Sequence, residues 1–144
     1  MGDWRMRVER ALELENRGDI DGVAALYAPD AAYVDATGTE YRGRAAIADF
    51  YRRNRAAFPD FQAKLDRVIE EGEWVAFQGS WTGTHRGPQP LGETSVAPTG
   101  RRVEAAFVGI GQASNETGLV VNMRMIVVDQ LGLMRQLGLL PTRP

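Results

Sequence analysis

Residues 61–85 read FQAKLDRVIEEGEWVAFQGSWTGTH, and here the chain changes from a helical to a strand-like period. Phe61–Ile69 and Trp74–His85 are bounded by turn residues and rich in β-branched and aromatic side chains, which is typical of strands. Glu71-Gly72 between them is a turn signal. The stretch therefore predicts two neighbouring antiparallel strands.

Toward the carboxyl end, Arg101–Gln112 and Leu119–Val128 predict two more strands, and Gln130–Leu140 predicts a short helix. The connecting segment Arg86–Gly100 contains three prolines and three glycines, so it predicts a long loop. Loops of this length are more often functional than short ones. We expect it to border the mouth of any cavity and to be more mobile than the strands that it joins.

Toward the amino end, the pattern predicts three helices and one short strand. The helices run from Asp3 to about Arg17, from Asp19 to Pro29, and from Gly43 to Phe58-Pro59-Asp60, and the strand covers Ala31–Asp35. Three helices followed by a four-stranded antiparallel run imply an α+β fold. A single curved sheet wrapped around the helices would form a cone with an apolar interior.

Composition restricts the possible functions. The chain has 144 residues and 15.9 kDa, 44% hydrophobic and 25% charged, which predicts one domain over residues 1–144. Its net charge of -2 disfavours nucleic acid as a partner. It has no Cys and one His, which excludes disulfides, thiolate nucleophiles and Cys- or His-rich metal sites. Without a long apolar run, we expect no membrane partner and a cytoplasmic location.

Glu15 is the most unusual residue of the first helix. At about 100° per residue it falls on the apolar face with Trp4, Val8 and Ala11. A carboxyl group in that position is desolvated, which raises its pKa and suits it to general acid or base work. The alternative is that Glu15, in the last turn, reaches past the core to solvent.

Asp35 and His85 both stand at the end of a predicted strand. Asp35 is either a turn residue that binds its own backbone or a carboxylate directed into the interior. His85, with an ordinary pKa close to neutrality, is either a proton shuttle or a structural histidine. The spacing alone leaves both pairs of alternatives open.

Several motifs resemble one family. The opening half, Asn16-Arg17-Gly18-Asp19-Ile20-Asp21-Gly22-Val23 and Leu26-Tyr27-Ala28-Pro29-Asp30-Ala31, resembles the NTF2-like superfamily. The closing half resembles its SnoaL-like polyketide cyclase branch in Gly83-Thr84-His85-Arg86-Gly87, Pro98-Thr99-Gly100-Arg101 and Asp129–Gly138. This resemblance implies a cone-shaped barrel with three amino-terminal helices inside a curved antiparallel sheet. It also implies a deep apolar cavity that needs no cofactor and no metal.

Ketosteroid isomerases of the superfamily resemble this chain around residues 28–35 and 118–124, which implies that Asp35 is the catalytic base. Their oxyanion donors match Ala11 and Gly109, so these groups are missing. The cyclases' catalytic Asp falls at or beside Met125, and their strand His falls at Gly109. Glu15 falls near a cavity-lining position and is the candidate replacement polar group.

The resemblance also implies which residues contact substrate: Phe50, Tyr51, Trp81, His85, Phe107, Met123 and Met125. It implies a cyclase or isomerase that acts on a bulky, mostly apolar polyketide-like intermediate. One alternative is an epoxide-opening enzyme that uses Asp35 and Glu15 as a carboxyl pair, and another is a binding protein without chemistry of its own. A homodimer through the outer sheet face, with Asn122 and Arg124 at or near the interface, is expected.

Overall fold

The computed structural model describes residues 3–141. Over these residues the helices and strands follow in the order α1 (Trp4–Asn16), α2 (Ile20–Ala24), β1 (Tyr27–Val34), β2 (Glu40–Arg42), α3 (Arg44–Ala57), β3 (Gln62–Glu71), β4 (Trp74–Thr84), β5 (Gln89–Leu91), β6 (Thr94–Val96), β7 (Arg102–Ala113), β8 (Val120–Val127) and α4 (Gln130–Gln136). This is the predicted α+β class.

Six of the strands form one sheet in the order β2-β1-β8-β7-β4-β3. The neighbours β3, β4, β7 and β8 are antiparallel, as predicted, but β1 is parallel to β8. The sheet is therefore mixed, and the prediction of a purely antiparallel sheet was wrong. Parallel pairing joins strands that are far apart in sequence, so no local turn residues predict it.

β1 also begins earlier than predicted. The second helix ends at Ala24 instead of continuing to Pro29, which lies within the strand. The β1–β8 register shifts between Tyr27 and Ala32, so residues 28–31 have no partner in that ladder. Proline has no N–H group to donate to a neighbouring strand, so a strand tolerates it where the ladder is interrupted, as it is here.

The boundaries of α1 and α3 agree with the prediction because both carry local end signals. The Asp3 carboxylate accepts a hydrogen bond from the Met6 N–H at 3.1 Å and caps α1. Gly43, with a φ of 89°, precedes α3, and Phe58 follows its last residue. Glycine adopts this left-handed conformation without the Cβ penalty of other residues.

The main core lies between the helices and the inner face of the sheet. Trp4, Val8, Leu12 and Leu14 of α1 and Ile47, Phe50 and Tyr51 of α3 are buried there with Val75, Phe77, Phe107 and Met123 of the sheet. Full burial of each large apolar side chain contributes about 1.5–3 kcal/mol. The inward residues of β4 and β7 alternate along each strand, as a one-sided sheet requires.

Phe77 of β4 lies directly over Gly109 of β7, its partner in the ladder. A Cβ atom built on Gly109 would overlap the Phe77 ring carbons. The ring therefore occupies the volume that a side chain at position 109 would need. The strand requires glycine here because of close packing.

The segment between β4 and β7, which was predicted to be a loop, contains regular secondary structure. It contains the antiparallel pair β5–β6, which forms a separate two-stranded sheet, and β5 packs against α3. Among residues 3–141, no helix combines the length and hydrophobicity needed to cross a bilayer.

Candidate active site

A cavity of about 150 Å³ lies between the helices, the inner sheet face and the β5 strand. Its walls are mostly apolar and aromatic. They are formed by Leu12, Glu15, Tyr33, Asp35, Ala36, Thr37, Phe50, Tyr51, Asn54, Phe58, Phe61, Ala63, Trp81, Gln89, Pro90, Leu91, Phe107, Met125, Ile126, Val127, Gln130 and Leu133. An engineered cavity of roughly this volume, about 150 Å³, binds benzene, so one ring fits inside.

Asp35 follows β1, is 9% exposed and contributes to the cavity wall. Its Oδ1 accepts hydrogen bonds from the Thr37 N–H at 2.9 Å, the Thr37 hydroxyl at 2.6 Å and the Thr39 N–H at 3.1 Å. Its Oδ2 accepts one, from the Tyr41 hydroxyl at 3.0 Å. Asp35 is thus both a turn residue and a cavity residue, and Oδ2 is the less occupied oxygen.

Glu15, in the last turn of α1, lines the same cavity from the helix side. Burial raises its pKa from 4.5 to about 7, although the nearby positive charge of Arg55 acts in the opposite direction. The Arg55 Nη1 group donates to the main-chain oxygens of Glu15 and Asn16, at 3.2 and 3.3 Å. Among the described residues, none donates a hydrogen bond to the Glu15 carboxyl group, which is therefore available to a ligand.

Three buried tyrosines stand beside Glu15. The hydroxyl groups of Tyr27 and Tyr51 are 3.0 Å apart, and Tyr33 and Tyr51 face the cavity. Burial raises the pKa of Tyr33 well above 10, and the charges of Tyr27, Glu15 and Asp35 raise it further. The tyrosines therefore remain protonated at neutral pH, and Tyr33 experiences the charge of both carboxyl groups.

Five of the seven predicted substrate-contacting residues lie on the cavity wall: Phe50, Tyr51, Trp81, Phe107 and Met125. The inward face of β4 carries Trp81, whose ring stacks on Phe61 with centroids 5.5 Å apart and meets Phe58 edge-on at 5.0 Å. Met123 and His85 do not line this cavity.

Met123 points to the inner side of the sheet, as its alternation with Met125 predicts, but lies deeper. Its side chain covers Gly111 and lines a second pocket with Trp4, Val8 and Phe77. Phe77, whose ring covers Gly109, lines this second pocket as well. Met123 therefore lies outside this cavity, because strand alternation sets the face on which a residue lies and not its depth.

His85 is fully buried, and its ring is hydrogen-bonded to the main chain at residue 99. Its Nδ1 accepts a hydrogen bond from the Thr99 N–H at 3.2 Å, and its ring stacks on Phe58 with centroids 5.4 Å apart. Burial lowers the pKa of His85, so the ring is neutral at physiological pH. These contacts are typical of a structural histidine, one of the two alternatives given above, and not of a residue that lines the cavity.

The cavity wall contains five polar residues that were not predicted from the sequence: Tyr33, Thr37, Asn54, Gln89 and Gln130. Tyr33 lies two residues before Asp35, which places both on the same face of the strand. Its position on the cavity wall could have been predicted from that spacing. Gln89 and Gln130 come from the β5 strand and the start of α4, whose positions depend on long-range packing. Among residues 3–141, no group of three or more His, Asp or Glu side chains has an arrangement that could hold a metal ion.

Comparison with known families decides the classification. The SnoaL-like domain model matches residues 8–123. This chain belongs to the SnoaL-like domain family. The SnoaL-like family lies within the NTF2-like superfamily, so the resemblance seen in the sequence is confirmed.

Solved structures of similar fold include AclR from Streptomyces galilaeus, a candidate hydroxylase, at 26% identity and a TM-score of 0.78, over 97% of this chain and 83% of AclR. IdmH from Streptomyces antibioticus, a candidate polyketide cyclase, is 27% identical with a TM-score of 0.71, over 91% of this chain and 95% of IdmH. SalBIII, an epoxide hydrolase/cyclase-like enzyme of pyran ring formation in salinomycin, is 19% identical with a TM-score of 0.69, over 85% of this chain and 88% of SalBIII. The SnoaL-like domain and these neighbours together support a polyketide-cyclase type of enzyme family, whereas the likeness to SalBIII, at 19% identity, shows the fold alone.

Proposed function

We propose that the protein is a cofactor-independent cyclase or isomerase that transfers protons on a polyketide-like intermediate of secondary metabolism. The observation that carries this proposal is the pair of carboxyl groups on one apolar cavity. Glu15 has a pKa of about 7 and no hydrogen-bond donor among the described residues, whereas Asp35 is held by four donors. Two carboxyl groups in such different environments are suited to the roles of acid and base.

In the proposed reaction the Asp35 carboxylate removes a proton from a carbon next to a substrate carbonyl. Oδ2 is the accepting oxygen, because Oδ1 already accepts three hydrogen bonds. The protonated Glu15 donates its proton to the oxygen on which negative charge develops, and the Tyr33 hydroxyl donates a hydrogen bond to the same oxygen. These two groups replace the oxyanion donors whose positions are Ala11 and Gly109 here.

The cavity volume limits how the substrate lies. Ligand pockets in proteins usually measure roughly 300–1,000 Å³, and this one measures about 150 Å³. We propose that one ring enters and the rest of a bulky intermediate extends past β5. Residues 86–100 would then move during binding, and their amide hydrogens would exchange faster than those of β4 and β7.

The double variant Asp35→Asn/Glu15→Gln tests this function. Product formed from an aromatic polyketide intermediate is measured for the variant, the wild type and a control variant, Asp30→Asn/Glu13→Gln, in which both residues are exposed. We expect loss of turnover only in the first variant, with ligand binding retained by the aromatic wall. Full turnover by that variant would favour a cyclase that works by cavity shape, and absence of turnover in the wild type would favour a binding protein.

Epoxide opening is the second candidate. Two carboxyl groups in different environments on a single cavity also suit attack on an epoxide, with Asp35 activating the nucleophile and Glu15 protonating the ring oxygen. Offering the protein an epoxide and a poly-β-ketone of similar size separates the two reactions.

We also propose that the protein is a homodimer through the outer sheet face. Ile110 and Ile126 are 40% and 43% exposed there, and Arg124 pairs with Ile110 in the ladder. The Asn122 amide donates to the Gln112 Oε1 at 2.8 Å beside them. Analytical ultracentrifugation is expected to give twice the chain mass of 15.9 kDa. Sedimentation as a single chain at micromolar concentration would contradict the proposal.

A further inference from the structure

One amide side chain lies in the middle of the buried face of α3. At about 100° per residue, Asn54 falls between Phe50, one turn before it, and Phe58, one turn after it. Phe50, Tyr51 and Phe58 line the cavity together with Asn54. The period predicts an apolar residue at position 54, and the chain has an asparagine there. The acid–base reaction proposed above gives this residue no role.

The Asn54 amide is open to a ligand. Its side chain is half-buried on the cavity wall and forms no hydrogen bond with a group of residues 3–141. The enclosed polar atoms without a partner in this part of the chain include the Oε1 oxygens of Gln89 and Gln130, but neither amide atom of Asn54. Both its Oδ1 oxygen and its Nδ2 nitrogen therefore have surface that a bound molecule can contact.

An amide at this position lowers the stability of the fold. On an apolar wall it has no partner in the protein to replace its hydrogen bonds to water, and asparagine is a weaker helix former than leucine. Leucine has the same number and connectivity of side-chain heavy atoms, so it would complete the apolar face of α3. A residue that is unfavourable for folding but open to a cavity is typical of a binding site, where stability and function compete.

The amide defines the kind of group that it can bind. It offers two N–H donors, and the oxygen of an uncharged ketone only accepts hydrogen bonds. The cavity holds about one ring, so a ring that lies beside the carboxyl groups of Asp35 and Glu15 also lies beside α3. A carbon between two carbonyl groups loses a proton more readily than a carbon next to one, because two oxygens share the resulting negative charge. An amide N–H group directed at such an oxygen stabilises that charge.

We infer that Asn54 is a substrate-binding residue that donates a hydrogen bond from Nδ2 to a second carbonyl oxygen, and so selects a 1,3-dicarbonyl substrate over a monoketone. This inference rests on the proposed function and deepens it. The proton between the two carbonyl groups passes to the Asp35 Oδ2, and the electron pair of the broken C–H bond spreads onto both oxygens. Glu15 and Tyr33 bind one of these oxygens, and Asn54 binds the other.

The test compares two uncharged probes of nearly equal shape, 2,2-dimethylcyclohexane-1,3-dione and 2,2-dimethylcyclohexanone, which differ in one carbonyl group. Their dissociation constants are measured by NMR titration for the wild type, Asn54→Leu and a control, Asn115→Leu, whose residue is exposed between β7 and β8. We expect Asn54→Leu to shift the ratio of the two constants about 3- to 10-fold toward the monoketone, as the loss of one neutral hydrogen bond predicts. The control should keep the ratio of the wild type. The urea midpoint of Asn54→Leu should equal or exceed that of the wild type.

Three results would overturn the inference: an unchanged ratio in Asn54→Leu, an equal shift in the control, or no binding of either probe by the wild type. An unchanged ratio with a lower urea midpoint would make Asn54 a structural residue. Probe binding needs no turnover, so an unchanged ratio overturns the role of Asn54 alone, whereas turnover by Asp35→Asn/Glu15→Gln tests the proposed function. If Asn54→Leu does not fold, Asn54→Ala, with the best helix former at this position, provides the same comparison.

Discussion

Each end of the cavity holds a carboxyl group, and the two carboxyl groups differ in their hydrogen bonding. At the end of β1, Asp35 accepts four hydrogen bonds from Thr37, Thr39 and Tyr41. On α1, Glu15 has no donor among the described residues and a pKa of about 7. Burial of a carboxyl group without hydrogen-bond donors favours its neutral form. The contrast shows how one small cavity can contain one carboxyl group that is held in place by hydrogen bonds and another that titrates near neutral pH.

The largest expected effect comes from replacing the carboxyl group that is held by four hydrogen bonds. Asp35→Asn keeps the size of the side chain and an oxygen that can accept from Thr37 and Thr39, but it removes the proton acceptor. Turnover should fall by about 10²–10⁴, the usual contribution of a positioned acid or base. The measurement is product formed per enzyme, with the thermal midpoint as the control for folding. Unchanged turnover would remove Asp35 from the mechanism.

The second effect concerns stability and the titrating group. Between pH 4.5 and about 7, folded Glu15 keeps a proton that the unfolded chain has released, so stability falls as the pH rises through this window. The whole change corresponds to about 3 kcal/mol. Glu15→Gln should abolish it, so that the variant is more stable than the wild type at pH 8 and similar at pH 4. Urea denaturation at both values measures this, with Glu13→Gln as the exposed control.

The third effect is on the pH dependence of catalysis. If Glu15 acts as the acid, activity should fall above pH 7, where the carboxyl group loses its proton. Glu15→Gln should lower turnover by about 10-fold and remove that limb of the profile, because glutamine does not titrate. A profile of kcat/KM against pH gives the result. The same limb in the variant would assign it to another group.

The smallest expected effect comes from removing the one hydrogen bond to the Asp35 Oδ2 oxygen. Tyr41→Phe removes the donor to the Asp35 Oδ2, at 3.0 Å, and leaves the three bonds to Oδ1 in place. We expect a loss of about 1 kcal/mol in stability, as for one hydrogen bond, and a change of about 2- to 5-fold in turnover, within the same energy. A loss as large as that of Asp35→Asn would mean that Tyr41 itself contacts the substrate.

Local signals made much of the fold predictable. A cap at Asp3 and a glycine at position 43 set the start of two helices, and alternation set the strands after residue 61. The pairing of β1 with β8 was missed because it joins distant segments, and it turned an expected antiparallel sheet into a mixed one.

The site was predictable to a lesser degree. A charge centred on an apolar helix face led to Glu15, whose unusual environment the structure describes. The depth of Met123 depends on the aromatic ring beside it, and the position of Gln130 depends on where α4 packs. Neither is encoded in a local period, so a single sequence gave no signal for them.

The contact between Phe77 and Gly109 has an evolutionary consequence. An acid cannot be introduced at position 109 while the phenylalanine remains, because its Cβ atom would overlap the ring. Trimming Phe77 alone would leave a void in the core, at a cost of about 3–5 kcal/mol for Phe→Ala. Each single step is therefore unfavourable, and the two positions have to change together. This epistasis would make an acid at position 109 slow to arise, and it makes a paired Phe77→Ala/Gly109→Asp substitution the direct route for redesigning the chemistry of the cavity.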